Sequence, residues 1–331
     1  MTTDNSYQPT AYNSRTFTPQ PQAQPRGIAQ KLMKLNCRVL PFTRPTETIS
    51  TQLDSDIGPE KWKEVCESSP DKKNYWNEQT LSNSKFSTGI NMLLIASSFG
   101  KGIVVMFVPL CAIIELVLYF IKPFDIHSWN DFYHVFILTF FIMKYAFPPS
   151  ILFWGMAELI NKGYWNPRFM HACKIFSMNR RTGMVTLYHG RDKVRYSHPF
   201  IEFDCLLASN PGPQGQMLYS LYLVHRYHGY QHAVPLNGLI GSKQMVAEYY
   251  RVWNMIQRFM DVSQPLPDTL VLEESRPLDP VTAAYDQQTG RDPEYWRKMT
   301  EEAFRRTIHS IRSQQNSTPE KEKVLNIFES A

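Results

Sequence analysis

GIVVMFVPLCAIIELVLYFI (Gly102–Ile121) and FYHVFILTFFIMKYAFPPSILFWGMAELI (Phe132–Ile160) are two apolar stretches in the first half of an otherwise polar chain. At about 1.5 Å of helical rise per residue, each reaches across a bilayer hydrocarbon core of roughly 30 Å. The link between them, Lys122–Asp131, is short enough only for a tight turn. The pair therefore predicts a transmembrane helical hairpin.

Charge near the spans sets the predicted topology. Lys72, Lys73, Lys85 and Lys101 precede the first span, and Lys162, Arg168 and Lys174 follow the second. The link carries Lys122 with Asp125 and Asp131, so both termini are expected in the cytoplasm with the link outside. Two charges fall inside the spans, Glu115 and Lys144. An intramembrane charge costs roughly 2.5–3.5 kcal/mol, so it finds a partner or reaches an interface. Their backbones differ in expected depth by roughly 9 Å, a gap that a lysine side chain partly closes. Pro148-Pro149 is expected to kink the second span by removing helix donors.

The remaining composition narrows the function. A chain of 331 residues accommodates the hairpin, one ordinary domain and tails. Its mean hydropathy of −0.35 is too polar for a many-helix transporter. The net charge of +5 is spread along the chain without a basic, aromatic-interleaved patch, which argues against nucleic-acid binding. The five cysteines are widely spaced and include no CxxC pair, so they make neither a disulfide framework nor a zinc site. Residues 1–30 are rich in Gln, Pro, Thr and Ser and read as a disordered tail. Residues 31–90 read as a loosely folded cytoplasmic arm, followed by the hairpin region 91–160.

After the hairpin the apolar period changes. Ala172–Met178 and Met184–Tyr188 flank the Gly-ended turn Asn179–Gly183, which predicts a β-hairpin. Ile201, Phe203, Cys205 and Leu207 alternate with Glu202 and Asp204, as in a half-buried strand. Leu218–Tyr227 and Gln231–Leu236 read as a strand and its returning partner. Met245, Tyr249, Val252, Ile256 and Phe259 then trace one face of an amphipathic helix, with Glu248, Arg251, Gln257 and Arg258 on the other. The sum is an α+β domain over 172–263, with strands closed by one helix. Residues 264–331 read as a Pro-containing linker and a C-terminal helix, Pro293–Gln314.

Candidate chemistry is sparse. His225, His228 and His232 have spacings that suit a metal on a helix, but on a strand and turn His225 and His228 point to opposite faces. No metal or cofactor is expected. GxSxG, HExxH and phosphate-loop motifs are absent. Asp192, Glu202, Asp204, His189 and His198 surround strand ends without forming a recognisable catalytic set, so no enzyme activity is expected. Arg180, Arg181, Arg191, Lys193 and Arg195 cluster in the first strands and are candidates for contact with an anionic lipid surface.

Phe176-Ser-Met-Asn-Arg-Arg-Thr-Gly-Met-Val185 resembles the opening hairpin of an uncharacterised bacterial two-span membrane family. The likeness continues through Ile201–Asp204, Glu248–Gln257 and Pro265-Leu-Pro267, covering about residues 90–270. The element order is similar to a small pleckstrin-homology-like β domain, a partial barrel whose closing helix carries Trp253. Such proteins are found beside type VI secretion toxin genes. The resemblance implies a multi-pass protein of the bacterial inner membrane that binds a secreted toxin or a secretion component through its cytoplasmic domain. The implied role is immunity or effector loading, as an adaptor. Glu115, Lys144 and the proline pair motivate a transporter or channel subunit as the alternative, and the histidines a membrane-surface enzyme.

Overall fold

The computed structural model describes residues 7–45, 58–68, 76–85, 88–107, 109–110, 113, 117, 137, 141, 144–145, 147–162, 164, 173–190, 193–240, 245–317 and 323–329. The helices are α1 (Ile28–Met33), α2 (Pro59–Ser68), α3 (Thr88–Gly102), α4 (Phe147–Asn161), α5 (Val246–Met260), α6 (Pro280–Thr289) and α7 (Glu301–Ser317). The strands are β1 (Cys37–Leu40), β2 (Phe42–Thr43), β3 (Thr80–Lys85), β4 (Cys173–Asn179) and β5 (Met184–His189). They continue with β6 (Lys193–Pro199), β7 (Phe203–Pro211), β8 (Met217–His225), β9 (Val234–Pro235) and β10 (Val324–Leu325). Two compact units result, one from residues 1–84 and 174–331, the other from 85–173.

The first unit is α+β with antiparallel sheets. One four-stranded sheet runs β1-β7-β8-β9, another runs β3-β4-β5-β6, and β10 pairs with β2. The alternation expected near Ile201 becomes β7, buried at Phe203, Cys205 and Leu207. Strand β8 lies against it from Phe203↔His225 to Pro211↔Met217. The sequence reading missed β6, whose short polar run Lys193–Pro199 hides its pairing with β5.

The closing helix departs from simple amphipathicity. Tyr249, Val252, Trp253, Ile256 and Phe259 are buried as expected, yet Met245 is exposed, and Glu248, Arg251 and Gln257 are buried too. For Gln257 the reason is the segment read as a loose arm. It wraps the helix: Trp253 Nε1 donates to the Pro41 carbonyl (2.8 Å), and Gln257 Oε1 accepts from the Thr43 N–H (2.6 Å). Strand β1 also extends the sheet beside β7. The expected boundaries at 172 and 263 are thus too narrow.

Both supposed tails join the core. Tyr12 is buried against Phe42 and Phe200, so the described part of the N-terminal segment is docked rather than a solvated tail. Composition understates this because one aromatic anchor suffices where backbone partners are supplied. In the C-terminal segment, Leu270, Leu272 and Trp296 are buried. Asp279 caps α6, Pro280 opens it, and Gly290 ends it in the left-handed region.

The second unit corrects the hairpin expectation. Helices α3 and α4 each hold 15 residues, about 22 Å, and no helix among the described residues is long and apolar enough to cross a membrane. Helix α3 starts before the expected first span and gives way to a π-helical turn, Ile103–Phe107, where that span was to begin. Pro148-Pro149 lies near the start of α4 as described, and the residue before that helix lies outside the described residues. These bounds contradict the two-span hairpin, and with it the multi-pass inner-membrane placement. Most of 108–146, including Glu115 and the link, lies outside the described residues. Within the unit, Ser97, Ser150 and Ala157 are buried, and a Cβ on Gly100 would sit 2.6 Å from the Ser150 carbonyl oxygen. Small residues thus bring the helices together. Their large apolar side chains face outward, with Met92 67 % and Phe99 71 % exposed.

Candidate functional site

Of the basic residues read as a lipid-facing group, the structure takes Arg180 out of the surface. Arg180 is fully buried in the β4–β5 turn. Its Nε donates to Asp279 (3.1 Å), Nη1 to the carbonyls of Phe259 (2.6 Å) and Asp261 (2.9 Å), and Nη2 to that of Gln264 (2.7 Å). It joins the end of α5 to the start of α6. Arg181 is half-buried, and its carbonyl accepts from the Gln8 N–H. Arg195 meets His189 Nδ1 at 2.8 Å, Lys193 is exposed at the head of β6, and Arg191 lies outside the described residues. Lys144 is exposed, its ammonium 5.4 Å from the Tyr145 ring centre.

Chemistry gathers instead where β6 turns into β7. His198 lies near the end of β6, and the one-turn 3₁₀ helix Phe200–Glu202 brings Glu202 back beneath it. The pairing Phe203↔His225 then places the last residue of β8 beside both. His225 Nε2 lies 2.9 Å from Glu202 Oε2, and His198 Nδ1 lies 3.6 Å from the same oxygen. His198 Nε2 meets the Tyr230 hydroxyl at 2.8 Å. His228 completes the group, its ring 4.9 Å from that of His225. The expected opposite orientation of His225 and His228 fails because β8 ends at His225 and the chain bends at Arg226–His228.

His198, Glu202 and His225 come close enough to share an ion, with ligand atoms within 4.8 Å of one another. The tautomer of His225 argues against it. Its Nδ1 accepts from the backbone N–H groups of Tyr227 (3.2 Å) and His228 (3.0 Å), and backbone amides only donate. The ring hydrogen is therefore on Nε2, directed at Glu202. A metal at Nε2 requires that hydrogen to move to Nδ1, against two N–H groups. Metal-binding histidines show the reverse arrangement, donating their second N–H to an acceptor.

Burial pushes the His225 imidazole below its ordinary value, with the Glu202 hydrogen bond opposing and His198 reinforcing the shift. Burial also lowers His198, which Glu202 opposes. Tyr230, His198 and Glu202 make a hydroxyl–imidazole–carboxylate line, but the Tyr230 ring is stacked on Tyr196 at 4.2 Å. A cavity of about 350 Å³ lies elsewhere, against Trp62, Cys66 and Arg297.

Of the residues considered for acid–base chemistry, only Glu202 and His198 meet. His189 turns to Arg195, Asp204 pairs with Arg226 at 2.7 Å, and Asp192 lies outside the described residues. The His198–Glu202 spacing of four residues is visible in the sequence, but the strand register that adds His225 is not. No family model matches the sequence, and no curated protein or solved structure matches it either.

Proposed function

We propose that the protein is a non-catalytic binding protein that holds a protein partner on the outward apolar side chains of α3, α4 and the π-helical turn. The observation that supports this most is the inversion of the second unit. Small residues pack between the helices, while Met92, Phe99, Met106, Leu152 and Tyr164 are left 57–79 % exposed. Large apolar side chains exposed in such number favour an interaction site. Methionines and aromatic residues are the types enriched at the cores of protein interfaces. The histidine cluster supports a binding role over an enzymatic one, because His225 is committed to the backbone and Glu202 to the imidazoles. A secreted toxin or a component of its secretion machinery, the partners implied by the resemblance, are the first identities to look for.

The test is a photo-crosslinking residue placed at Phe99 of the full chain in cells. A discrete protein adduct is expected from Phe99 and not from Val194, which is exposed on the first unit. Adducts to lipid in place of protein, or equal adducts from both positions, would overturn the reading.

A further inference from the structure

We propose that His225 is an acid-operated latch holding the turn Arg226–Tyr230, and that its protonation releases α1 from the outer face of the β7–β8 sheet. The turn folds around an imidazole acceptor: the N–H groups of Tyr227 and His228 both point at His225 Nδ1. A protonated ring donates from both nitrogens. Protonation therefore removes the acceptor and sets a third N–H against the other two. The ring then leaves or the turn opens.

The stretch from Pro21 to Ile28 is tied to that turn. The Tyr230 carbonyl accepts from the Ile28 N–H at 2.8 Å, at the start of α1. Gly27 (φ +59°) lies so near Gly229 that a Cβ would fall 2.4 Å from its carbonyl carbon. The Tyr227 hydroxyl donates to the Pro21 carbonyl at 3.0 Å. Beyond these ties, α1 holds the sheet through a small cluster, Ala29 on Leu206 and Val224, with Ile28, Leu32, Tyr222 and Ala233 around it. A helix of six residues with so narrow an apolar contact does not hold itself in place.

Burial and the neighbouring imidazoles of His198 and His228 favour the neutral ring, and Glu202 opposes them. From β6 comes His198, its ring centre at 4.0 Å, and from the turn come His228, Tyr227 and Tyr230. Glu202, from the corner between β6 and β7, is the one carboxylate in hydrogen-bond contact, and it bonds Nε2 rather than Nδ1. Arg226 adds its charge nearby, paired with Asp204. The lowered values of His198 and His225 agree with this.

Hydrogen–deuterium exchange on the full chain, corrected for intrinsic rates, tests the latch between about pH 7.5 and about pH 5.5. Protection of amides 26–33 and 227–230 is expected to fall about tenfold or more, while that of β5 stays unchanged. In His225→Asn the side-chain oxygen still accepts the two N–H groups but does not titrate, so protection is expected to stay high at both pH values. Histidine ¹⁵N titration of the unaltered protein gives an independent readout that does not need the variant to fold. His225 Nδ1 is expected to protonate at the midpoint of the exchange change. Equal protection at both pH values, acid loss that persists in folded His225→Asn, or protonation of Nδ1 without loss of protection would each overturn the proposal.

Discussion

Arg180 illustrates how a residue type misleads when its environment is unknown. A guanidinium in a Gly-ended turn looks like solvated surface, but here its donors find four backbone carbonyls and both oxygens of the Asp279 carboxylate. Burial acts to raise Asp279, and the Arg180 charge with hydrogen bonds from Thr282 and Tyr7 outweighs it, holding the carboxyl below its ordinary value. Removing one member of such a buried pair strands the other. Arg180→Met is expected to cost about 3–5 kcal/mol in urea unfolding, and Lys193→Ala less than about 0.5 kcal/mol. Gly183 makes a second residue-scale test. Its φ is +70°, and a Cβ would sit 2.1 Å from the Thr10 carbonyl oxygen of the docked N-terminal segment; Gly190 has φ +66° in open space. Gly183→Ala is expected to cost at least about 2 kcal/mol and Gly190→Ala about 1 kcal/mol, because only the first adds a backbone collision to the conformational strain. Equal losses would mean that the segment is not seated on the turn.

Among the elements, α5 carries the core. Trp253→Ala is expected to cost about 3–5 kcal/mol and to lower Tm markedly, whereas Met245→Ala, at the exposed N-cap, is expected to be nearly silent. Thermal melts of the two variants decide it. The apolar stripe of this helix and the alternation of β7 were legible because each period is local. The burial of Gln257 was not, since it depends on β2 arriving from far along the chain. The same holds at the histidine cluster. His198 and Glu202 were visible as residues near strand ends, but the β7–β8 register that delivers His225 is a long-range property. The apolar runs 102–121 and 132–160 were legible as hydrophobic; hydropathy carries no sign of the π-helical turn at Ile103–Phe107.

For the whole molecule, stability is expected to depend on pH in two steps. The folded values of His198 and His225 lie below the ordinary one, burial being the largest cause, so the unfolded chain takes up protons first. Their contribution is complete above about pH 6.5 and is lost progressively below it. In Asp261 and Asp279 burial acts to raise the carboxyl, but hydrogen bonds and, at Asp279, Arg180 hold it low. Their contribution is present above about pH 3.9 and is lost as pH falls through the folded values. Urea midpoints taken from neutral to acid pH are expected to decline first in the histidine window and again in the carboxylate window; a midpoint unchanged through the first would mean the imidazoles titrate as in the unfolded chain. The second unit carries Met92, Phe99, Met106 and Leu152 well exposed, and the proposed binding rests on these side chains. The most direct measurement of that binding is the mass of the complex purified from cells with the full chain carrying Met92→Glu, Phe99→Lys and Leu152→Lys. These side chains are exposed, so the first unit is predicted to melt as before while the partner is lost from the complex; a variant that keeps its partner in the original amount would contradict binding through the apolar helical pair.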